Sequence, residues 1–173
     1  MKTKLLIAAL TYLTIGTALA ETPWETYLSL PTAGNASQVS AMKYSPGAIP
    51  SGYGYLASDL NILQIQVLAG DREAFRLTYR LILKSDGGPL GELIAILAHS
   101  IRPNPELFLR EMAILKPHPQ GLKSILLMPG LEYVDRRNAQ NYEIEMRRKA
   151  LASVKNEDLR SIRDQCLKLM KDD

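Results

Sequence analysis

The clearest structural pattern in this sequence lies between residues 55 and 116, which read YLASDLNILQIQVLAGDREAFRLTYRLILKSDGGPLGELIAILAHSIRPNPELFLREMAILK. Residues 56–69 are rich in Leu, Ile and Val and contain no Gly or Pro, so they predict a helix. Gly70 follows, where a chain leaving a helix commonly takes a positive φ. Asp71 then stands where a side-chain oxygen can cap the next helix, predicted over residues 72–84. These features together predict a helical hairpin.

The same arrangement follows at once. Residues 89–101 predict a third helix, with Pro89 at the first helical position, where the N–H that proline lacks would have no partner. Asn104 is predicted to cap a fourth helix over residues 106–115, again with a proline, Pro105, at the first position. The sequence therefore predicts a second hairpin directly after the first.

The two hairpins indicate an internal repeat with an offset of 33 residues, measured from Asp71 to Asn104. After each capping residue there is an acid in the first turn, where the helix dipole favours negative charge. Each return helix then places a phenylalanine at the same position, Phe75 in the first and Phe108 in the second. Helix caps and acids are common to many helices, whereas the matched phenylalanines indicate repetition.

Paired helices with a repeat of this length resemble the HEAT and tetratricopeptide classes of helical-repeat protein. The resemblance covers residues 56–116 and, more weakly, the last helix pair near Asn156. The Trp, Leu, Gly and Tyr positions of the tetratricopeptide signature are not reproduced, so HEAT-like is the better description. The predicted fold is all-α, with antiparallel helical hairpins stacked as a short HEAT-like α-solenoid; the alternative is a compact helical bundle. The resemblance implies contact with another protein.

Residues 1–20 are predicted to be a cleaved signal peptide. Lys2 and Lys4 precede an apolar run that is too short for a comfortable membrane span, and Ala18-Leu19-Ala20 fits a signal peptidase site. Residues 21–173 are then expected to form a single all-helical domain without an integral membrane span. Export without a disulfide framework favours the bacterial periplasm over eukaryotic secretion, because Cys166 is the only cysteine and is predicted to be buried in a helix.

The charge balance gives no reason to expect a nucleic-acid partner. The full sequence has a net charge of +3, but the signal peptide accounts for two lysines, which leaves 19 basic and 18 acidic side chains. Residues from Arg136 onward are more basic than the rest, and Tyr142 is the one aromatic residue among them. A surface for stacking single-stranded bases is therefore not indicated.

The segments outside the hairpins predict shorter helices and one long loop. Thr22, Pro23 and Glu25 form a capping box for a first helix that contains Trp24, the only tryptophan. Residues 44–55 combine prolines and glycines with tyrosines and predict an ordered loop that either packs on the first hairpin or takes part in binding. After residue 116 the sequence predicts three further helices, which cover residues 122–127, a long stretch to about residue 154 capped by Asp135, and a last helix after Asn156.

One polar pattern suggests a contact surface. Arg72, Arg76, Arg80 and Lys84 follow one another at i+4 spacing and form a basic stripe along the second helix. They could meet an acidic protein together with Tyr44, Tyr53 and Tyr55 of the loop. They could equally form ion pairs with a carboxylate of the next hairpin, where the acidic residues are Glu92, Glu106 and Glu111.

The sequence offers no recognisable catalytic or metal-binding motif. There are two histidines, His99 and His118, and no His-x-x-x-His, Cys-x-x-Cys, acidic calcium loop, phosphate-binding glycine loop or nucleophile elbow. His99 is expected to lie at a helix end or in the core, and His118 in a surface turn. We therefore predict no catalytic, cofactor-binding or metal-binding residue and no cofactor, although Ser124 or Ser161 could approach His99 in three dimensions.

Two functions are compatible with these observations. The first is an exported, non-enzymatic protein-binding module, such as an adaptor, inhibitor or immunity-type protein, whose partner is another envelope protein. The second is a small cell-envelope hydrolase with His99 or a helix carboxylate in its site. The first predicts an exposed apolar or basic groove, and the second predicts a histidine or carboxylate beside a nucleophile.

Overall fold

The computed structural model describes residues 23–41, 56–129, 133 and 135–171. The predicted signal peptide, Thr22, the tyrosine-rich segment predicted to be a loop and the side chain of Trp24 lie outside this described part. Within it, the chain forms nine α-helices and a short 3-10 helix, Glu157–Leu159. The α-helices are α1 (Pro23–Ser29), α2 (Ala33–Ala41), α3 (Leu56–Leu68), α4 (Arg72–Ile82), α5 (Gly87–Ser100), α6 (Pro105–Leu115), α7 (Pro119–Leu127), α8 (Arg137–Ser153) and α9 (Arg160–Leu169).

The helices are arranged in two layers. The odd-numbered helices from α3 to α9 pack in succession, α3 on α5, α5 on α7 and α7 on α9. The even-numbered helices from α2 to α8 pack in the same way, and most helices that follow each other in the chain also pack across the two layers. A helix with one apolar face is stable only when that face is covered, and here each hairpin covers the next. The predicted all-α fold of stacked antiparallel hairpins is confirmed.

The two predicted hairpins occupy equivalent places in this stack. Phe75 of α4 and Phe108 of α6 are fully buried and meet edge to face, with ring centroids 6.0 Å apart and an angle of 72° between the rings. This geometry suits aromatic quadrupoles and adds stabilisation beyond the apolar area that the rings bury. The residues that indicated the repeat in sequence therefore hold its two units together.

The turn between α3 and α4 forms as predicted. Gly70 has a φ of +88°, and the Asp71 carboxylate accepts hydrogen bonds from the backbone N–H groups of Glu73 and Ala74. The corresponding prediction for Asn104 is half wrong, because it stands at the start of α6 but its side chain makes no capping bond. Its amide instead donates a 2.8 Å hydrogen bond to the carbonyl of Leu68, in the last turn of α3. The side chain thus joins the first hairpin to the second.

Two other predicted helix starts are wrong by one or two residues, and α7 begins at Pro119, three residues before the predicted start at residue 122. Helix α5 begins at Gly87, which has a φ of +56°, so Pro89 is its third residue. Proline is tolerated there because the N–H groups of a first helical turn have no partner within the helix. Asp135 does not cap α8, since Arg136 occupies the position before the helix. The backbone N–H of Arg136 and the side-chain amide of Gln140 both donate to the carbonyl of Tyr133, and this turn delays the helix.

One cluster of buried apolar side chains runs through both layers, from Tyr27 in α1 to Met170 after α9. Cys166 belongs to this cluster and is fully buried, as predicted. Burial raises the pKa of its thiol to about 12, because the thiolate would lose its hydration. Removal from water also raises the pKa of the Tyr27 phenol to about 12, with a smaller contribution from the charge of Asp71.

Candidate functional site

Two of the four cations of the predicted basic stripe on α4 form ion pairs within the protein. Glu111 of α6 has no solvent-exposed surface, and its carboxylate accepts hydrogen bonds from Arg72 Nε at 2.6 Å and Arg76 Nε at 2.7 Å. Arg76 also donates to Glu73 within its own helix, at 2.7 Å. The bond to Glu111 is the main cause that raises the pKa of Arg76 above its ordinary value. These cations neutralise a buried carboxylate of the second hairpin, the pairing that the sequence left open.

The remaining members of the proposed contact surface are placed differently. Arg80 is half-buried, and no ion pair of its side chain is found among the described residues. Lys84 has an electrostatic or hydrogen-bonding interaction and is half-buried. Tyr44, Tyr53 and Tyr55 lie outside the described part of the chain. The structure therefore does not test whether the tyrosines and the stripe form one surface.

An open cleft lies between the end of α5 and the middle of α8. Its volume is about 820 Å³, and we call it the His99 cleft. Helix α3 contributes to one side, the turn after α5 to the next, and α8 to the opposite side. The described residues that line it are Gln64, Leu68, His99, Arg102, Pro103, Tyr133, Glu143, Met146, Lys149 and Ala150.

An ion-pair network forms one wall of the His99 cleft. Glu143 is nearly buried, with 6% of its surface exposed, and accepts from Arg102 Nη1 at 2.7 Å on one oxygen and from Arg147 Nε at 3.1 Å on the other. Arg147 is fully buried and also donates to the carbonyl of Met128. Hydrogen bonds from two guanidinium groups hold this carboxylate in a fixed position. Arg102 is thereby anchored at the cleft wall.

The described residues that line the cleft carry more positive than negative charge. The side chain of Arg102 is 44% exposed and that of Lys149 is 64% exposed, and both line the cleft. Lys149 lies 3.8 Å from Glu145, which makes closer contacts of 2.8 Å with Arg148. The hydrogen bonds from Arg148 are the main cause that lowers the pKa of Glu145. Among the described lining residues the one carboxylate is Glu143, which already faces two guanidinium groups, so its charge does not cancel those of the exposed cations.

His99 lies in the last turn of α5, as the sequence predicted. Its Nδ1 is 3.4 Å from the side-chain nitrogen of Gln64, and its Nε2 is buried. A general base must reach the proton that it abstracts, and neither nitrogen is freely presented to the cleft. No serine, threonine or cysteine is among the described residues that line the cleft. Ser124 donates to the carbonyl of Gln120, and Ser161 lines another cleft.

That second cleft is smaller, about 310 Å³, and lies between the end of α6 and the start of α9. Lys116, which ends α6 in the left-handed conformation with a φ of 47°, lines it together with Asp158 and Ser161. His118, next in the turn, is exposed as predicted, and its Nδ1 accepts from the backbone N–H of Gln120 and caps α7. The turn side chains thus have structural roles.

The sequence did not single out Arg102, Glu143 or Arg147. The i, i+4 spacing of Glu143 and Arg147 is visible in the sequence, but it is also the spacing of ordinary surface pairs. Nothing local indicates that the Glu143 pair is buried or that Arg102, 41 residues earlier in the chain, completes it. The absence of glycine and proline around Glu143 predicts only the helix.

Comparison with known proteins identifies no relative, since no protein-family model, curated protein or solved structure matches this chain. Among the described residues, no helix is both long enough and apolar enough to cross a bilayer. The same part of the chain holds no group of three His, Cys, Asp or Glu side chains placed to bind a metal ion. Function must therefore be inferred from the site itself.

Proposed function

We propose that the protein is an exported, non-enzymatic protein-binding module of the bacterial periplasm, and that the His99 cleft is its contact surface. An adaptor, an inhibitor and an immunity-type protein all fit this description. The observation that carries the proposal is the cleft itself, which is open, combines exposed cations with apolar side chains and has no serine, threonine or cysteine among its described lining residues.

The packing order supports a closer description of the fold. We infer that the chain is a HEAT-like helical repeat, because successive hairpins stack in two layers and the matched phenylalanines of two units touch. Helical repeats use the surface along their stack to bind other proteins. This part of the proposal is an analogy from architecture, and it agrees with the position of the cleft across α3, α5 and α8.

The basic stripe is a second candidate surface. Its first two cations, Arg72 and Arg76, bind the buried Glu111. A partner that formed ion pairs with them instead would leave that carboxylate without a counter-charge. Reversing those charges would test the stability of the fold rather than binding. Arg80, with no ion pair among the described residues, is therefore the position at which the stripe can be tested.

Site-specific crosslinking distinguishes the two surfaces. A photoreactive amino acid is placed at Lys149 in the cleft, at Arg80 on the stripe, or at the exposed Lys168 of α9 as a control, in the full chain with a C-terminal tag. We expect one stoichiometric partner to crosslink from position 149 and not from position 168. Crosslinking from position 80 alone would move the contact surface to the stripe. Equal labelling from all three positions, or none, would contradict the proposed function.

A cell-envelope hydrolase is the second candidate, because His99 and Glu143 line the same cleft. Against it stand the contacts of both residues, since Glu143 is held by two arginines and His99 lies against Gln64. The test is hydrolysis of cell-wall glycan and peptide substrates by the wild type and by His99→Ala. Activity that disappears in the variant, with the helical circular dichroism unchanged, would replace the binding proposal.

A further inference from the structure

The Arg102 guanidinium group can bind an anion at the wall of the His99 cleft. Arg102 uses Nη1 to bind Glu143, and no other hydrogen bond of its guanidinium group is found among the described residues. A guanidinium group has five N–H donors in a planar fork, so donors remain for a second acceptor. Because Arg147 also binds Glu143, the carboxylate of the wall does not cancel the charge that Arg102 presents to the cleft.

The network also fixes the position of Arg102. An exposed arginine side chain normally loses conformational entropy when it binds an anion, because several of its bonds can no longer rotate freely. Here the side chain is already held by a nearly buried carboxylate, which in turn is held by the fully buried Arg147 and the carbonyl of Met128. Three elements, the turn after α5, the chain after α7 and α8, therefore orient one guanidinium group. The entropy lost on binding an anion is reduced accordingly.

We propose that the His99 cleft binds an acidic polypeptide segment, with a carboxylate of the segment held by Arg102 and Lys149. The apolar side chains beside these cations, among them Leu68 and Met146, provide the complementary surface for aliphatic side chains of the segment. The cleft is open rather than enclosed, so it can receive a segment of a longer chain. This inference rests on the proposed function and adds the chemical class of the partner.

The direct test uses three fluorescein-labelled hexapeptides that alternate Leu with Glu, Leu with Lys, or Leu with Ser. Fluorescence anisotropy with the full chain is expected to detect binding of the Leu/Glu peptide only. The Kd of the Leu/Glu peptide should rise as salt increases from about 0.05 M to about 0.5 M, because added salt shortens the Debye length and so weakens the attraction between exposed charges. Equal binding of the Leu/Ser peptide, or binding of free N-acetylglutamate as tight as that of the Leu/Glu peptide, would overturn the inference.

Matched variants locate the site. Arg102→Gln is compared with Arg110→Gln, because Arg110 is similarly exposed, at 47%, and likewise has one ion pair, with Glu106. We expect Arg102→Gln to weaken binding of the Leu/Glu peptide at least about tenfold, the effect of losing one charge-assisted hydrogen bond, and Arg110→Gln to leave it unchanged. Lys149→Gln gives the same test without touching Glu143, should Arg102→Gln fail to fold. Equal effects of the cleft variants and Arg110→Gln would contradict the site.

The outcomes also separate this inference from the proposed function. Suppose that a partner crosslinks from position 149 but binds Arg102→Gln, Lys149→Gln and the wild type with the same affinity. The cleft then binds a protein whose acidic groups do not contribute to the affinity. In that case the proposed function stands and the inference fails. If no partner crosslinks and no peptide binds, both fail.

Discussion

At the scale of single residues, the structure depends on a few buried charges. Glu111 and Arg147 are fully buried, and each binds a group from another element, the arginines of α4 in one case and the carbonyl of Met128 in the other. Buried ion pairs add little net stability, because desolvation offsets the attraction, but removing one partner leaves a charge without compensation. Such pairs therefore fix which surfaces can meet, in this case α4 with α6 and the α5 turn with α8.

Neutralising Glu111 tests this role. In Glu111→Gln, Arg72 and Arg76 keep their charges but lose the carboxylate between them. We expect the free energy of unfolding to fall by about 1–3 kcal/mol, below the usual cost for a buried pair because both guanidinium groups reach solvent. Urea denaturation measures the difference. Glu145→Gln, which breaks a surface pair with Arg148, is the control and should change the midpoint much less.

Cys166 makes the stability depend on alkaline pH. Its folded-state pKa of about 12 lies above the ordinary value of 9.0, so between these values the unfolded chain releases the thiol proton while the folded chain keeps it. Stability from this group is therefore complete below about pH 9 and is lost as the pH rises toward 12. The fall in urea midpoint between about pH 8 and about pH 10.5 should be smaller in Cys166→Ala than in wild type. Equal falls would contradict the assignment. Tyr27 and Tyr79, whose pKa values burial also raises, contribute to the fall that remains.

At the scale of elements, helix ends as well as packed helix faces determine how the hairpins join. Gly70 ends the turn of the first hairpin with a positive φ, and a Cβ at this position would make only an ordinary 3.9 Å contact with Leu107. The constraint at Gly70 is therefore conformational and not one of space. Gly91, inside α5, has no such constraint, since a Cβ there would meet nothing within 4 Å.

Alanine at these two glycines should have opposite effects. Gly70→Ala forces a side chain into the left-handed region and is expected to lower the free energy of unfolding by about 1–2 kcal/mol. Gly91 is helical in the folded state, and alanine there reduces the conformational freedom of the unfolded chain. Gly91→Ala is therefore expected to raise the free energy of unfolding by about 0.5–1 kcal/mol. Thermal denaturation of both variants beside the wild type gives the sign of each change. A loss of stability in Gly91→Ala would show that α5 needs glycine there.

The elements were largely predictable because their signals are local. Apolar periodicity, the Gly70–Asp71 turn and the prolines near helix starts lie within one or two turns of the structures that they specify. The predictions for Asn104 and Asp135 failed where a distant or competing group took the hydrogen bond, the carbonyl of Leu68 in one case and the turn at Tyr133 in the other. The cleft was not predictable, since Arg102 and Glu143 lie 41 residues apart in the chain and are brought together only by the tertiary fold.

At the scale of the whole molecule, a continuous core joins both layers. The buried side chains run from Tyr27 to Met170, so each hairpin is stabilised by its neighbours more than by itself. We expect a single cooperative unfolding transition, with equal calorimetric and van't Hoff enthalpies. Circular dichroism at 222 nm and near-ultraviolet tyrosine signals should give the same midpoint. Two separate transitions would show that the stack divides into independently stable parts.

The bond from Asn104 to Leu68 has a consequence for the kinetics of folding. It joins the start of α6 to the end of α3, residues 36 positions apart in the chain, so it can form only after the two hairpins have docked. Interactions that are absent from the transition state affect the unfolding rate and leave the folding rate almost unchanged. Stopped-flow measurements on Asn104→Ala should therefore show faster unfolding with an unaltered refolding limb. This amide contributes to how long the native state lasts, with little effect on how fast it forms.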